Sequence, residues 1–125
     1  MVTKKEILII EDEKEFAGMV KLRLELLGYT VSIAEDTNTG IEEILKGNYV
    51  LVVLDLMLPG GGGFTILERI QNFPEKASIP VVVLTGKTID AEIKKMLERY
   101  KVAALFTKPY DEIEFEKKIK SLVPI

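Results

Sequence analysis

Residues 49–63 read YVLVVLDLMLPGGGG. From Tyr49 to Leu54 the run is apolar without alternation, then comes one carboxylate, Asp55, and shortly after it a proline and four glycines. A continuous apolar run of that length, closed by loop residues, marks a strand covered on both faces. Such strands belong to parallel sheets flanked by helices, and all of them end on one edge. Asp55 is thereby expected at the edge where open α/β sheets bind their ligands.

Three other stretches share the design. ILII (7–10) leads to Glu11 and Asp12, PVVVL (80–84) to Thr85, and VAALF (102–106) to Lys108 two residues on. With Thr30 to Ala34 added, the expected strands are Glu6 to Ile10, Thr30 to Ala34, Tyr49 to Leu54, Pro80 to Leu84 and Val102 to Phe106. Each is followed by a helical pattern, and that alternation predicts βα units around a parallel sheet. The segments Ile7 to Ile10, Val50 to Leu54, Val81 to Leu84 and Val102 to Leu105 read as doubly covered, whereas Val31-Ser32-Ile33 alternates and reads as an edge. An edge position for the second strand fits the order 2-1-3-4-5 with right-handed crossovers.

The helices are legible as well. Ile89, Ile93, Met96, Leu97 and Tyr100 keep helical spacing, with Thr88 as the expected N-cap and Asp90 and Glu92 in an acidic first turn. Thr39 and Glu42 have capping-box spacing ahead of Ile44 and Leu45. In the first helix Phe16, Val20, Leu24 and Leu27 share a face, and Met19, Leu22 and Leu26 form a second stripe beside it. Together they span roughly 200° of the helix, about twice what a surface helix needs. One reading of the second stripe is a core widened against the fifth helix.

Composition narrows the chemistry. A chain of 125 residues with 47% apolar and 30% charged residues forms one soluble domain, expected over 1–125 with no effector domain attached. Its net charge of −3, from 17 basic and 20 acidic residues, offers no footprint for direct nucleic-acid binding and no polybasic membrane patch. Lys4 and Lys5 precede an apolar run too short for a signal peptide or a span, so a cytoplasmic location is expected. With no cysteine and no histidine, thiolate and imidazole sites are excluded, leaving oxygen ligands and a hard cation.

Asp55 is the candidate nucleophile, since a carboxylate attacking phosphorus forms an acyl phosphate. Glu11 and Asp12 beside it would repel it unless a cation were bound, and Mg2+ suits a few carboxylates with several waters. Lys108 and the Thr85 hydroxyl are placed to meet phosphoryl oxygens through charge-assisted hydrogen bonds. Lys108 precedes Pro109, a step that stiffens the loop and admits a cis peptide. The Gly60 to Gly63 run is no nucleotide loop, because no Gly-Lys-Ser/Thr follows and Thr65 stands where a dinucleotide fingerprint needs its third glycine.

Residues 7–13 (ILIIEDE), 50–59 (VLVVLDLMLP), 81–86 (VVVLTG) and 106–109 (FTKP) strongly resemble the receiver domains of two-component response regulators, over about residues 5 to 123. The resemblance implies a flavodoxin-like, doubly wound (βα)5 fold of α/β class. It also implies that Asp55 accepts a phosphoryl group from a histidine of a partner kinase or phosphotransfer protein. Glu11, Asp12, Asp55 and the Met57 carbonyl would hold Mg2+. Thr85, Lys108 and the backbone amides of Met57 and Gly86 would bind the phosphoryl group. Thr85 would move toward that group and Phe106 would rotate inward, altering the face of helix 4, strand 5 and helix 5 that meets a second copy or a downstream protein. Met19, Leu22 and Arg23 on the first helix would dock the partner.

The chain departs from the family in two respects. Glu11 stands where many members have aspartate, and the loop after Pro59 carries two extra glycines, from which we expect added mobility beside Asp55. Met57 and Lys87 flank, by the same resemblance, the route of the hydrolytic water. The Met57 side chain has no strong donor or acceptor to orient it, so slow self-dephosphorylation is expected. Two other functions compete: a receiver-like interaction module without phosphotransfer, and an aspartyl-phosphate phosphatase of haloacid dehalogenase type. The latter needs an acid two positions after its nucleophile, where this chain has Met57.

Overall fold

The computed structural model describes residues 5–125; Lys4, noted above, lies outside the described residues. Along the chain run β1 (Glu6–Ile10), α1 (Lys14–Leu26), β2 (Thr30–Ala34), α2 (Thr37–Lys46), β3 (Leu51–Leu54), α3 (Gly63–Gln71), the one-turn α4 (Pro74–Ala77), β4 (Val81–Thr85), α5 (Ala91–Arg99), β5 (Ala104–Thr107) and α6 (Glu112–Leu122). The fourth and fifth crossover helices of the sequence reading are thus α5 and α6. The strands form one parallel sheet in the order β2-β1-β3-β4-β5, as expected.

Alternate residues along each strand feed two cores. Leu8, Ile10, Val52, Leu54, Val81 and Val83 pack with Ile41, Ile44, Ile66, Ile70 and Leu97 on one face. Ile7, Ile9, Leu51, Val53, Val82 and Leu84 pack with Ala17, Val20, Leu24, Phe115 and Ile119 on the other. Each such side chain stabilises the fold by about 1.5–3 kcal/mol on full burial, which is why β1, β3 and β4 are apolar at nearly every position.

Several boundaries differ from the sequence reading. β3 begins at Leu51, although the Val50 amide already donates to the Glu6 carbonyl at 2.9 Å; before it, the Tyr49 hydroxyl donates to Glu43 Oε1 on α2 at 2.6 Å. β4 extends through Thr85, and β5 begins only at Ala104. The run from Val102 to Leu105 is half-buried rather than doubly covered, since the order that puts β2 at one edge puts β5 at the other. The caps move too. Asp36 caps α2 and completes a box with Thr39 as its third residue, and Asp90 caps α5 by accepting from the Ile93 amide at 2.8 Å. Asp accepts well at both positions, and in neither helix is the expected threonine the N-cap.

The glycine run is built for its turn. Gly60, Gly61 and Gly62 have φ of 89°, 125° and 82°, where other residues are strained. Three bonds tie the loop down: Thr37 N–H to the Pro59 carbonyl at 3.1 Å, Thr37 hydroxyl to Gly62 at 3.3 Å, and Thr65 hydroxyl to Gly61 at 2.8 Å. These work against the mobility expected from composition. Gly63 is limited by space instead, for a Cβ there would meet the Asp55 carbonyl oxygen at 2.6 Å and Leu56 Cα at 2.9 Å. Backbone cannot yield as a side chain does, so Gly63→Ala is expected to lower stability by about 2–3 kcal/mol. A denaturant midpoint equal to that of the unsubstituted protein would contradict this close approach.

Candidate functional site

Register brings the acidic residues together. Ile10 pairs with Leu54, so the next residues, Glu11 and Asp55, emerge side by side where the chain reverses its order across the sheet. The Asp55 amide donates to the Ile10 carbonyl at 3.1 Å and holds that level, and the Lys108 amide donates to the Thr85 carbonyl at 2.8 Å on the far side. Glu11, Asp12 and Asp55 each offer a carboxylate oxygen within 4.8 Å of the others.

Asp55 is buried and well held. Its Oδ1 accepts from the Thr85 hydroxyl at 2.6 Å and from the Met57 amide at 3.0 Å. Its Oδ2 lies 3.4 Å from Lys108 Nζ. The same ammonium donates to Glu11 Oε1 at 2.7 Å and approaches Glu13 Oε1 at 3.4 Å. Glu11 Oε2 accepts from the Glu13 amide at 3.1 Å. Thr85 Oγ1 also accepts from the Lys87 amide at 3.2 Å, so its hydroxyl already faces Asp55.

Burial sets the charges against one another. It pushes the Glu11 carboxyl up to about 7; the Lys108 and Glu13 hydrogen bonds pull down, and the charge of Asp55 pushes up again. Burial works against the Lys108 ammonium, yet the Glu11 hydrogen bond and the charges of Asp55, Glu11 and Glu13 outweigh it and hold Lys108 above its ordinary range. One ammonium thus faces an excess of carboxylates. Such a donor set, all oxygen and anionic, fits a hard divalent cation, whose charge would reverse the penalty on Glu11.

Other residues named from the sequence fall nearby or apart. Gly86 and Met57 are exposed at the mouth of the site, next to Thr85 and Asp55 respectively. Phe106 is half-buried and packs edge-on against Phe115, with centroids 5.4 Å apart. The Lys108–Pro109 peptide is cis. Met19, Leu22 and Leu26 are 60%, 58% and 78% exposed, which overturns the reading of that stripe as extra core against the fifth helix. Contact between α1 and α6 includes Arg23, paired with Glu116 at 2.6 Å and Glu112 at 2.9 Å. Two residues were missed. Glu13 stands within a motif that gives it no role, and Phe16 reads only as a residue of the core face of α1, though its ring lies under Lys108.

The fold and this constellation define a class. Residues 7–120 match the family model described as response regulator receiver domain, and the chain belongs to that family. The chain is 36% identical to the regulatory protein VanR of Enterococcus faecium over 93% of its own length and 48% of that protein. It is 33% identical to the response regulator ArlR of Staphylococcus saprophyticus over 94% of its length and 52% of that protein. The chain therefore spans about half the length of these relatives. Among solved structures it resembles the signal receiver domain of a DNA-binding response regulator from Colwellia psychrerythraea, at 35% identity, covering 98% of this chain and all of that one with a TM-score of 0.87. It also resembles response regulator protein TrrA of Thermotoga maritima, solved in complex with Mg2+ and BeF, at 26% identity, 95% and 99% coverage and a TM-score of 0.82.

Proposed function

We propose that Asp55 is the phosphoacceptor and that its donor is a phosphohistidine on a partner kinase or phosphotransfer protein. The observation that carries this is the convergence on one buried carboxylate of the Thr85 hydroxyl, the Met57 amide and the Lys108 ammonium, with Glu11 and Asp12 beside it. A carboxylate oxygen of Asp55 attacks phosphorus; the new oxygen–phosphorus bond forms as the phosphorus–nitrogen bond breaks, and the electron pair stays with the imidazole. Residues 1–125 contain no histidine, so the donor imidazole lies outside this stretch. Lys108, the Thr85 hydroxyl and the amides of Met57 and Gly86 receive the phosphoryl oxygens. Glu11, Asp12, Asp55 and the Met57 carbonyl are the residues to hold Mg2+, which when bound offsets charge on the transferring group.

The output follows from the same contacts. Only interactions that differ between the free and phosphorylated states shift the population, and an almost complete shift takes about 5 kcal/mol. With Thr85 already facing Asp55, the remaining change falls on the half-buried Phe106 and the face of α5, β5 and α6. Relatives about twice as long are named regulators, and one similar structure is from a DNA-binding response regulator. We infer that this face signals to a second copy or a downstream protein, DNA being contacted by that partner and not by this acidic domain. Among the described residues no helix is long and apolar enough to cross a membrane, and cytoplasmic action fits that reading.

Docking falls to Met19 and Leu22, exposed on α1, with Arg23 fixing that helix to α6. Met19→Lys is expected to slow transfer from a partner about five- to tenfold without lowering the unfolding midpoint. An unchanged transfer rate would remove the docking role.

The central test is incubation with Mg2+ and a small acyl phosphate, followed by mass measurement of the peptide that holds Asp55. A transient phosphoryl increment, abolished by chelating the cation, is the expected result. Steady turnover of external phosphate esters would favour the phosphatase, and no increment the interaction module.

A further inference from the structure

The Lys108 ammonium lies over the ring of Phe16, 4.2 Å from its centroid, and no role given above uses that ring. Phe16 sits in the first turn of α1, half-buried. Its ring also meets Tyr110 edge-on, with centroids 5.8 Å apart. Tyr110 follows Lys108 by two residues, so a single ring braces both sides of Pro109. Tyr110 is itself packed edge-on against the buried Phe115 at 5.2 Å. Packing therefore fixes the ring in place, and the lysine comes to it.

Lysine is a point charge on a flexible four-carbon stem. Here three carboxylates compete for it, Glu11 at 2.7 Å and Glu13 and Asp55 each at 3.4 Å. Attraction to the nearest of them does nothing to keep the ammonium within reach of Asp55. An aromatic face adds a fixed attraction for a cation and excludes the chain from the space it fills. We propose that Phe16 is a positioning residue for Lys108, its ring holding the ammonium where it meets a phosphoryl group arriving at Asp55. The inference rests on the phosphoacceptor reading of Asp55.

The test compares Phe16→Leu, which keeps apolar bulk, with Phe16→Tyr, which keeps the ring. Two readouts are taken in the full chain: the rate of Asp55 phosphorylation by a small acyl phosphate with Mg2+, and the proton shift of the Lys108 ε-methylene, which an adjacent ring face displaces. Phe16→Leu is expected to return that resonance to an ordinary lysine position and to cut the maximal rate about tenfold. Phe16→Tyr restores both. A residue that merely supports the fold would move the unfolding midpoint and leave the methylene resonance alone. An unmoved resonance in Phe16→Leu, or an unchanged rate while Asp55 is labelled, overturns the proposal. If the unsubstituted protein takes no label, the phosphoacceptor reading fails separately, and the resonance alone decides whether the ring holds the lysine. Should Phe16→Leu not fold, Phe16→Met gives the same ringless comparison.

Discussion

Asp55→Asn is expected to take up no phosphoryl label at all while unfolding no more easily than the unsubstituted protein. The first half follows from chemistry, since an amide oxygen does not attack phosphorus to give a stable acyl phosphate as a carboxylate does. The second follows from the neighbours. An asparagine with its oxygen at the Oδ1 position keeps the bonds from the Thr85 hydroxyl and the Met57 amide. Its amino group then faces Lys108 Nζ, 3.4 Å from the atom it replaces, and that loss is weak at such a distance. Against it stands relief of repulsion, for Asp55 is one of three carboxylates within 4.8 Å and its charge is among the causes that push Glu11 up. Intact-mass measurement and a denaturant midpoint check the two halves together. Label retained on the variant would move the acceptor elsewhere, and a large fall in the midpoint would make Asp55 a structural residue.

How much of this was legible in the sequence depends on what kind of interaction fixed each part. Strand order and the strand-end residues were readable because a doubly covered strand must be apolar along its covered length, and β1, β3 and β4 are so apart from Glu6 at the start of β1 and Thr85 at the end of β4. β5 was misread since an apolar composition does not state whether a second helix layer covers it; the sheet's edge does. The caps of α2 and α5 were misplaced because Asp36 and Thr39, or Thr88 and Asp90, are all good N-caps by type, and only backbone geometry chooses. Met19, Leu22 and Leu26 carried a helical period that is silent on whether a neighbour reaches them. Arg23 reads in the sequence as a docking charge, and nothing there announces its ion pairs to Glu112 and Glu116, 89 and 93 positions away. Contacts of that sequence separation leave no local pattern. The same holds for Phe16, whose spacing suits a core position and whose ring also meets an ammonium 92 positions on.

Lys108→Met is expected to slow phosphorylation of Asp55 by about 10²–10³-fold at saturating Mg2+, the usual cost of removing one fixed donor from a developing negative charge. Methionine keeps the unbranched length of the stem and loses only the charge and its hydrogen bonds. Glu11 is 3% exposed and Lys108 Nζ is its one side-chain donor among the described residues, so stability is expected to fall by about 1–3 kcal/mol. That fall stays below the cost of stranding a buried charge because a carboxyl so placed takes up a proton instead. Affinity for Mg2+ separates the roles. The ammonium competes with a cation for Glu11 and Asp55, so its removal should leave Mg2+ binding as tight or tighter while transfer is lost. Lys108→Arg keeps the charge but spreads it over a planar fork, and is expected to recover only part of the rate. A Lys108→Met rate within threefold of the unsubstituted protein, with Mg2+ saturating, would mean that the ammonium neutralises Glu11 in the resting state and never touches the phosphoryl group.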